Sequence, residues 1–193
     1  MSSPTKKEIT RQRILETAAK IIRRDGFDAL GVADVMKQAG LTHGGFYAHF
    51  PNRDALLAEA LDYARKSSAN TIALAVVQQL EQGAKPLAAY IDAYLSEVHI
   101  QACFHGEGCP VAALGSEFSR QESVIKEETT KATEAFIEKL IILSDQKLTY
   151  SDAFFLASAL VGALQLARSL QHQADVTTYL ANTKQHLFTI FSL

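Results

Sequence analysis

Tryptophan is missing from this sequence, and cysteine and proline are scarce, at two and four in 193 residues. The two cysteines, Cys103 and Cys109, are too few for the disulfide framework of a small secreted protein. With so few prolines and only ten glycines, long stretches are free to run as helix. Runs of alternating β-branched residues are rare too, so no strands are expected. The opening MSSPTKKEITRQ has no apolar segment, which argues against a signal peptide. The longest apolar stretch, Ala153–Ala167, contains Ser158 and Gln165 and falls short of the roughly 20 residues that span a bilayer. No internal repeat or low-complexity segment stands out. These absences together predict a soluble, cytoplasmic, all-α protein with no membrane role.

What is present supports a folded chain with an uneven charge. Apolar residues make up 48% of the total, enough for a substantial core. The net charge of −2 conceals an asymmetry. Residues Met1–Arg53 carry nine Lys/Arg against five Asp/Glu, and Asp54–Leu193 carry ten against sixteen. A basic head on an acidic body fits a polyanionic partner for the head alone. We therefore divide the chain into a head, residues 1–53, and a body, residues 54–193.

About nine helices are expected. The first, from about Thr5 to Arg24, buries Ile14, Ala18 and Ile22 and is decorated by Arg11, Arg13, Lys20, Arg23 and Arg24, with Gly26 ending it. In Gly31–Phe50, GVADVMKQAGLTHGGFYAHF, two short helices flank a tight turn at Ala39–Gly40–Leu41, and Thr42 is placed to cap the second with its hydroxyl. That is the helix-turn-helix pattern, whose second helix enters the DNA major groove. A long helix follows to about Gln82, and then one after Pro86 with Leu87, Tyr90, Ile91, Tyr94, Leu95 and Val98 on one face. After a kink at His105–Gly108, Pro110 opens a helix to about Phe118, and another spans roughly Arg120–Leu143. The last two helices, 152–170 and 176–191, carry broad apolar surfaces that suit self-association into a homodimer through a four-helix bundle.

With those residues in view, Thr10–Ala60 resembles the DNA-binding head of the TetR/AcrR family of transcriptional repressors. The likeness rests on Ile14–Leu15, Ala18–Ala19, Gly26–Phe27, Val32, Asp34–Val35, Ala39–Gly40–Leu41–Thr42, Gly44, Phe46–Tyr47, Phe50, and Arg53 with Leu56–Leu57. The resemblance implies a one-component regulator: a homodimer that binds a palindromic double-stranded DNA operator and is released by a small-molecule or electrophile inducer. It also implies that Tyr47, His49 and Arg53 contact phosphates. Thr42, His43, Gly44 and Gly45 form the leading edge that reads bases. Three departures are Gly31, where Thr or Ser is usual, Ala48 in place of a larger polar residue, and Met36 at a small position.

The body is expected to hold the inducer among its helices, with Tyr90, Tyr94, Phe104, Cys109 and Phe136 as candidate ligand-binding residues. Cys109, just before Pro110, falls at a helix N-cap, where backbone amides favour a thiolate and lower its pKa. Protonated His105 would add to this effect. The segment Gln101–Glu117 is similar to the same region of electrophile-sensing members of the family. The competing reading makes Cys109 a small buried hydrophobe. His99, Cys103, His105 and Cys109 have only fair spacing for a metal, and neither a metal nor a cofactor is expected. A Cys103–Cys109 disulfide would need Cα atoms within about 7 Å. Two other classes of function compete: a thiol-based stress protein and a small helical enzyme using Cys109. For the enzyme, no orienting carboxylate but Glu107 is at hand, so none is expected.

Overall fold

The computed structural model describes residues 3–121 and 123–193, and among them every regular element is helical. In chain order these are α1 (Lys6–Asp25), α2 (Val32–Gln38), a 3-10 helix (His43–Ala48), α3 (Arg53–Glu81), α4 (Pro86–Tyr94), α5 (Glu97–Phe104), α6 (Pro110–Phe118), α7 (Ser123–Leu143), α8 (Tyr150–Ser169) and α9 (Gln173–Phe191). Start signals are local. Thr5 and Asn52 cap α1 and α3 with their side chains, and Thr149 forms a reciprocal capping box with Asp152 at α8. Each such cap contributes about 1 kcal/mol by satisfying amides that the first turn leaves free.

Two apolar cores follow from these elements. The head core gathers Ile14, Ala18 and Ile22 of α1, Val35 and Met36 of α2, Phe46, Phe50, and Leu57 and Leu61 of α3. It also takes in Leu114 of α6 and Ile125 of α7. The body core is built from α4, α5, α7, α8 and α9, with Ile72 and Val76 from the far half of α3. Along α3, Leu56, Ala60, Ala64, Ser68, Ile72 and Val76 are all buried, one every fourth residue. At 1.5 Å per residue this helix is about 43 Å long, so one buried stripe serves both cores.

The structure corrects several boundaries. The period after Pro86 does not run on to Val98: α4 ends at Tyr94, Leu95 leaves the helix, and Ser96 caps a new helix by accepting from the His99 amide. Val98 is consequently exposed. Regular helix in α7 begins at Ser123, since Arg120 and Gln121 form a turn. The segment proposed from Arg120 crosses Glu122, which lies outside the described residues. Helix α8 is long and apolar enough, by length and composition, to cross a membrane. Its Leu156, Leu160 and Leu164 are wholly buried in the body core, while Phe154, Phe155 and Leu166 remain exposed.

Candidate functional site

Helix α2 closes with a glycine turn. Gly40, at φ +68°, lets the Leu41 amide reach back to the Met36 carbonyl (2.8 Å) and its own amide reach Lys37 (3.0 Å). The chain then enters the 3-10 helix rather than an α-helix, contrary to expectation. Phe46 and Phe50 stack at 5.8 Å and are buried, and anchor this element to the head core. Tyr47 lies edge-on to Phe46 at 5.3 Å with 69% of its surface exposed. Thr42 stands at the N-cap, but its hydroxyl makes no capping bond; its carbonyl accepts from Gly45 instead. That substitution follows from i+3 bonding, which the backbone supplies itself.

Thr42, His43, Gly44 and Tyr47 form one exposed edge, with Gly45 half-buried behind it. A Cβ at Gly44 would meet nothing within 4 Å, and at Gly45 the Met36 methyl at 3.6 Å and the Thr42 hydroxyl at 4.0 Å. Nothing inside the chain therefore demands glycine at Gly44. His49 ends the element half-buried, with Nδ1 buried and unpartnered. Arg53 is largely committed inward: Nε donates to the Leu30 carbonyl (2.9 Å) and Nη2 to the Phe27 carbonyl (2.8 Å). It ties the α1–α2 connection to the start of α3, so its first role is structural.

Arg23, read from the sequence as surface decoration, is only 3% exposed. Its guanidinium donates to the carbonyls of Ala19 (3.0 Å), Ala64 (3.3 Å) and Gly108 (3.3 Å) and to the Ser67 hydroxyl (3.2 Å). Burial pulls its pKa down to about 10, still well above neutrality, so the side chain stays charged. Glu117, at the other end of α6, accepts from the Phe27 amide at 2.9 Å. Helix α6 thus touches the head at both ends and inserts Leu114 between them. Nothing in the local sequence pattern marks Arg23 or Glu117 for these partners.

The body encloses a cavity of about 80 Å³ walled by Ile72, Tyr90, Cys109, Pro110, Val111 and Phe136, with Arg65, Ser68 and Lys139 among its lining. Three of the predicted ligand residues, Tyr90, Cys109 and Phe136, therefore share one cavity. Tyr94 stacks on Phe136 (5.4 Å) behind that wall, fully buried, and its hydroxyl has no partner. Phe104 is not there: it ends α5 at 44% exposure, because the break at Leu95–Ser96 turns that helix face outward.

The thiol chemistry also differs from expectation. Cys109 does occupy the α6 N-cap, with Pro110 following it. At 6% exposure, however, desolvation outweighs the helix amides, and burial pushes the thiol up rather than down. Cys103, also buried, is pushed up to about 11 by desolvation first. The two cysteines are free, and Gly108 lies so close to the Cys103 sulfur that a side chain there would collide with it. His105 is exposed and turned to its own helix, its Nδ1 2.8 Å from the Gln101 carbonyl. The histidine beside Cys109 is His99. Its Nδ1 lies 2.7 Å from the Tyr94 carbonyl and so carries the hydrogen, leaving Nε2 to accept from the Cys109 amide (3.2 Å). Burial lowers the His99 pKa and keeps the ring neutral. Among the described residues, no group of three or more His, Cys, Asp or Glu side chains is arranged to hold a metal ion.

Comparison with known proteins matches the head by family model and nearly the whole chain by fold. Residues 14–60 match the family model of bacterial regulatory proteins of the tetR family. Over 108 residues the chain is 36% identical to an HTH-type transcriptional regulator of Mycobacterium tuberculosis, covering 55% of this chain and 52% of that one. It is 29% identical over 126 residues to the HTH-type transcriptional regulator LmrA of Bacillus subtilis, covering 64% of each. The chain thus spans about half the length of the first of these relatives. In overall fold it is similar to a TetR-family regulator from Cytophaga hutchinsonii, with a TM-score of 0.77 at 18% identity over 95% of this chain and 96% of that one. It is also similar to the reduced form of NemR from E. coli, with a TM-score of 0.68 at 23% identity over 92% and 96%.

Proposed function

Because the chain belongs to the TetR family of bacterial regulatory proteins, we propose that it is a homodimeric transcriptional repressor. It binds a palindromic operator in the cytoplasm and releases it when a small molecule enters the body. It acts by binding rather than catalysis; its relatives are themselves transcriptional regulators. One observation carries the DNA reading. The 3-10 helix holds Tyr47 out of the surface on two buried phenylalanines, beside a glycine whose missing side chain serves no neighbour within the chain. That is a surface built for close approach by a phosphate backbone. Thr42, His43, Gly44 and Gly45 face base edges, Tyr47 and His49 face phosphates, and Arg53 shapes the platform more than it contacts DNA.

Two such elements must stand about 34–36 Å apart to read successive major grooves. The exposed Phe154, Phe155, Leu166 and Ile190 on α8 and α9 supply the surface for pairing. The signal enters at the cavity beside the α6 N-terminus. From there α6 reaches α1 through Gly108–Arg23, Leu114 and Glu117, while α3 runs through both cores. The inducer need only fit one arrangement of these helices better than the other. A thiol trigger is the weaker version, because Cys109 is buried and held protonated.

The test is fluorescence anisotropy of the purified chain on DNA from upstream of its own gene, at several salt concentrations. Tight, salt-sensitive binding that weakens in Tyr47→Ala without loss of helicity supports the reading. Salt-insensitive or sequence-indifferent binding overturns it.

A further inference from the structure

Beyond its apolar wall, the body cavity has a charged rim. Arg65 and Lys139 both line it, but they are differently engaged. Arg65 donates to Asp62 at 2.7 Å and is neutralised there. Lys139, on α7, has no carboxylate within 4.0 Å among the described residues, where the ion pairs of its neighbourhood are Arg65 and Lys66 with Asp62 and Lys131 with Glu127 and Glu128. Its ammonium stands 5.0 Å over the ring of Tyr90, a wall residue. Desolvation is the one influence moving its pKa, which is lowered; no anion is near enough to offset the burial.

Half-burying a lysine without an anion costs free energy that an ordinary surface position would not exact. A ring face compensates it by only about 1 kcal/mol where solvent still reaches the cation. Behind the wall the Tyr94 hydroxyl is fully buried, with the Cys109 thiol as its neighbour and no other hydrogen-bond partner among the described residues. The Ser68 side chain is buried in the lining. Among the described residues no carboxylate lines the cavity, and Lys139 is the one positive charge at its edge without an ion-pair partner.

On the reading that this cavity receives the inducer, we infer that its ligand is a small apolar carboxylate, an aromatic or short branched acid whose carboxylate pairs with Lys139 while its hydrocarbon part lies against Tyr90, Phe136, Ile72 and Val111. A neutral molecule of the same shape leaves the lysine unpaired. A cationic one meets Lys139 as a like charge. The volume sets the size: about 80 Å³ is below the roughly 150 Å³ of a cavity that holds a benzene ring, so a short branched acid fits as the walls stand, a single ring enters as they move apart, and multi-ring compounds are excluded.

The experiment is isothermal titration calorimetry of the full chain, free of DNA, with benzoate and with benzyl alcohol as its neutral counterpart. Benzoate is expected to bind at least about tenfold more tightly, the size of one charge-assisted hydrogen bond. Lys139→Met keeps the stem over Tyr90 and should remove that preference, and Lys139→Arg should retain it. Equal affinities, no binding of either probe, or a benzoate preference that survives in Lys139→Met would overturn the inference. The comparison of the two probes on the unaltered chain stands even where a variant folds poorly. Since no DNA is present, a failed benzoate titration and a failed operator assay are separate results.

Discussion

The exposed edge of the 3-10 helix and the packing behind the body cavity use the same side chains to opposite ends. Each has a tyrosine, a histidine and a glycine close together: Tyr47, His43 and Gly44 outside, Tyr94, His99 and Gly108 inside. Outside, the phenol and the imidazole point to solvent and the glycine has empty space around it. Inside, the imidazole is used up by the chain's own backbone, and the glycine is required by the sulfur beside it. Polar groups left idle at a surface are available to a large anionic partner. The few left idle in an interior select a small one.

Breaking the outer region should have the largest effect, and the surest way is to separate the two copies of the proposed dimer. Phe155→Asp places a charge on the exposed apolar face of α8. It should convert the dimer to a monomer in analytical ultracentrifugation and weaken operator binding by about a hundredfold or more, since half-sites are then bound singly. Next comes the joint between the regions. Arg23→Met removes the guanidinium, strands the Gly108 carbonyl and takes one of its donors from that of Ala64, which should cost about 2–4 kcal/mol in urea unfolding. If unfolding were unchanged, Arg23 would not be the bond between α1, α3 and the α6 entry.

Within the outer region, Tyr47→Ala should weaken DNA binding by about tenfold, the loss of one phosphate contact, with a melting temperature within about a degree of the original. Gly44→Ala sharpens the comparison. It should hold or raise stability by about 0.5 kcal/mol, because nothing in the chain obstructs the methyl, and still weaken DNA binding. The inner counterpart, Gly108→Ala, should destabilise instead, since Cys103 occupies the space.

The smallest effect near neutrality is that of the thiols. A thiol whose pKa is raised on folding binds its proton more tightly in the folded state. Its contribution is fully present below the unfolded value and is lost as pH rises. For Cys103 the window runs from the ordinary value of 9.0 to about 11. Up to about 2–3 kcal/mol should disappear across it, and Cys103→Ala should flatten that part of the stability curve. Near neutral pH, iodoacetamide should alkylate either cysteine at least about tenfold more slowly in the folded protein than in urea.

The parts legible in the sequence were those fixed by neighbours a few residues away. The helix start at Pro110, the glycine turn at Gly40 and the anchors Phe46 and Phe50 all depend on local spacing. The misreadings came where a distant partner decided the outcome. Arg23 looks like one more basic residue until Gly108, 85 positions on, supplies its acceptor. His105 is nearer to Cys109 in sequence than His99, yet the Ser96 cap turns His99 inward. Cys109 sits at its N-cap as the spacing predicts, but burial, a property of the whole fold, sets its acidity. Lys139 is not legible in the sequence, because a lysine's lack of an anion is visible only once its surroundings are known.

The stripe along α3 bears on how such regulators could be recombined. A chimera joined at the sequence boundary near Arg53 would separate Phe46 and Phe50 from Leu57 and Leu61. It would also leave the recipient's α6 to fill, or fail to fill, the socket occupied by Leu114. A transplantable unit has to run through Ala64 and bring along a matching α6, with its Glu117 for Phe27 and its preceding carbonyl for Arg23. The chain has two cores but offers no clean seam, so specificity for DNA and response to a ligand are inherited together unless both sides of α6 are redesigned as one.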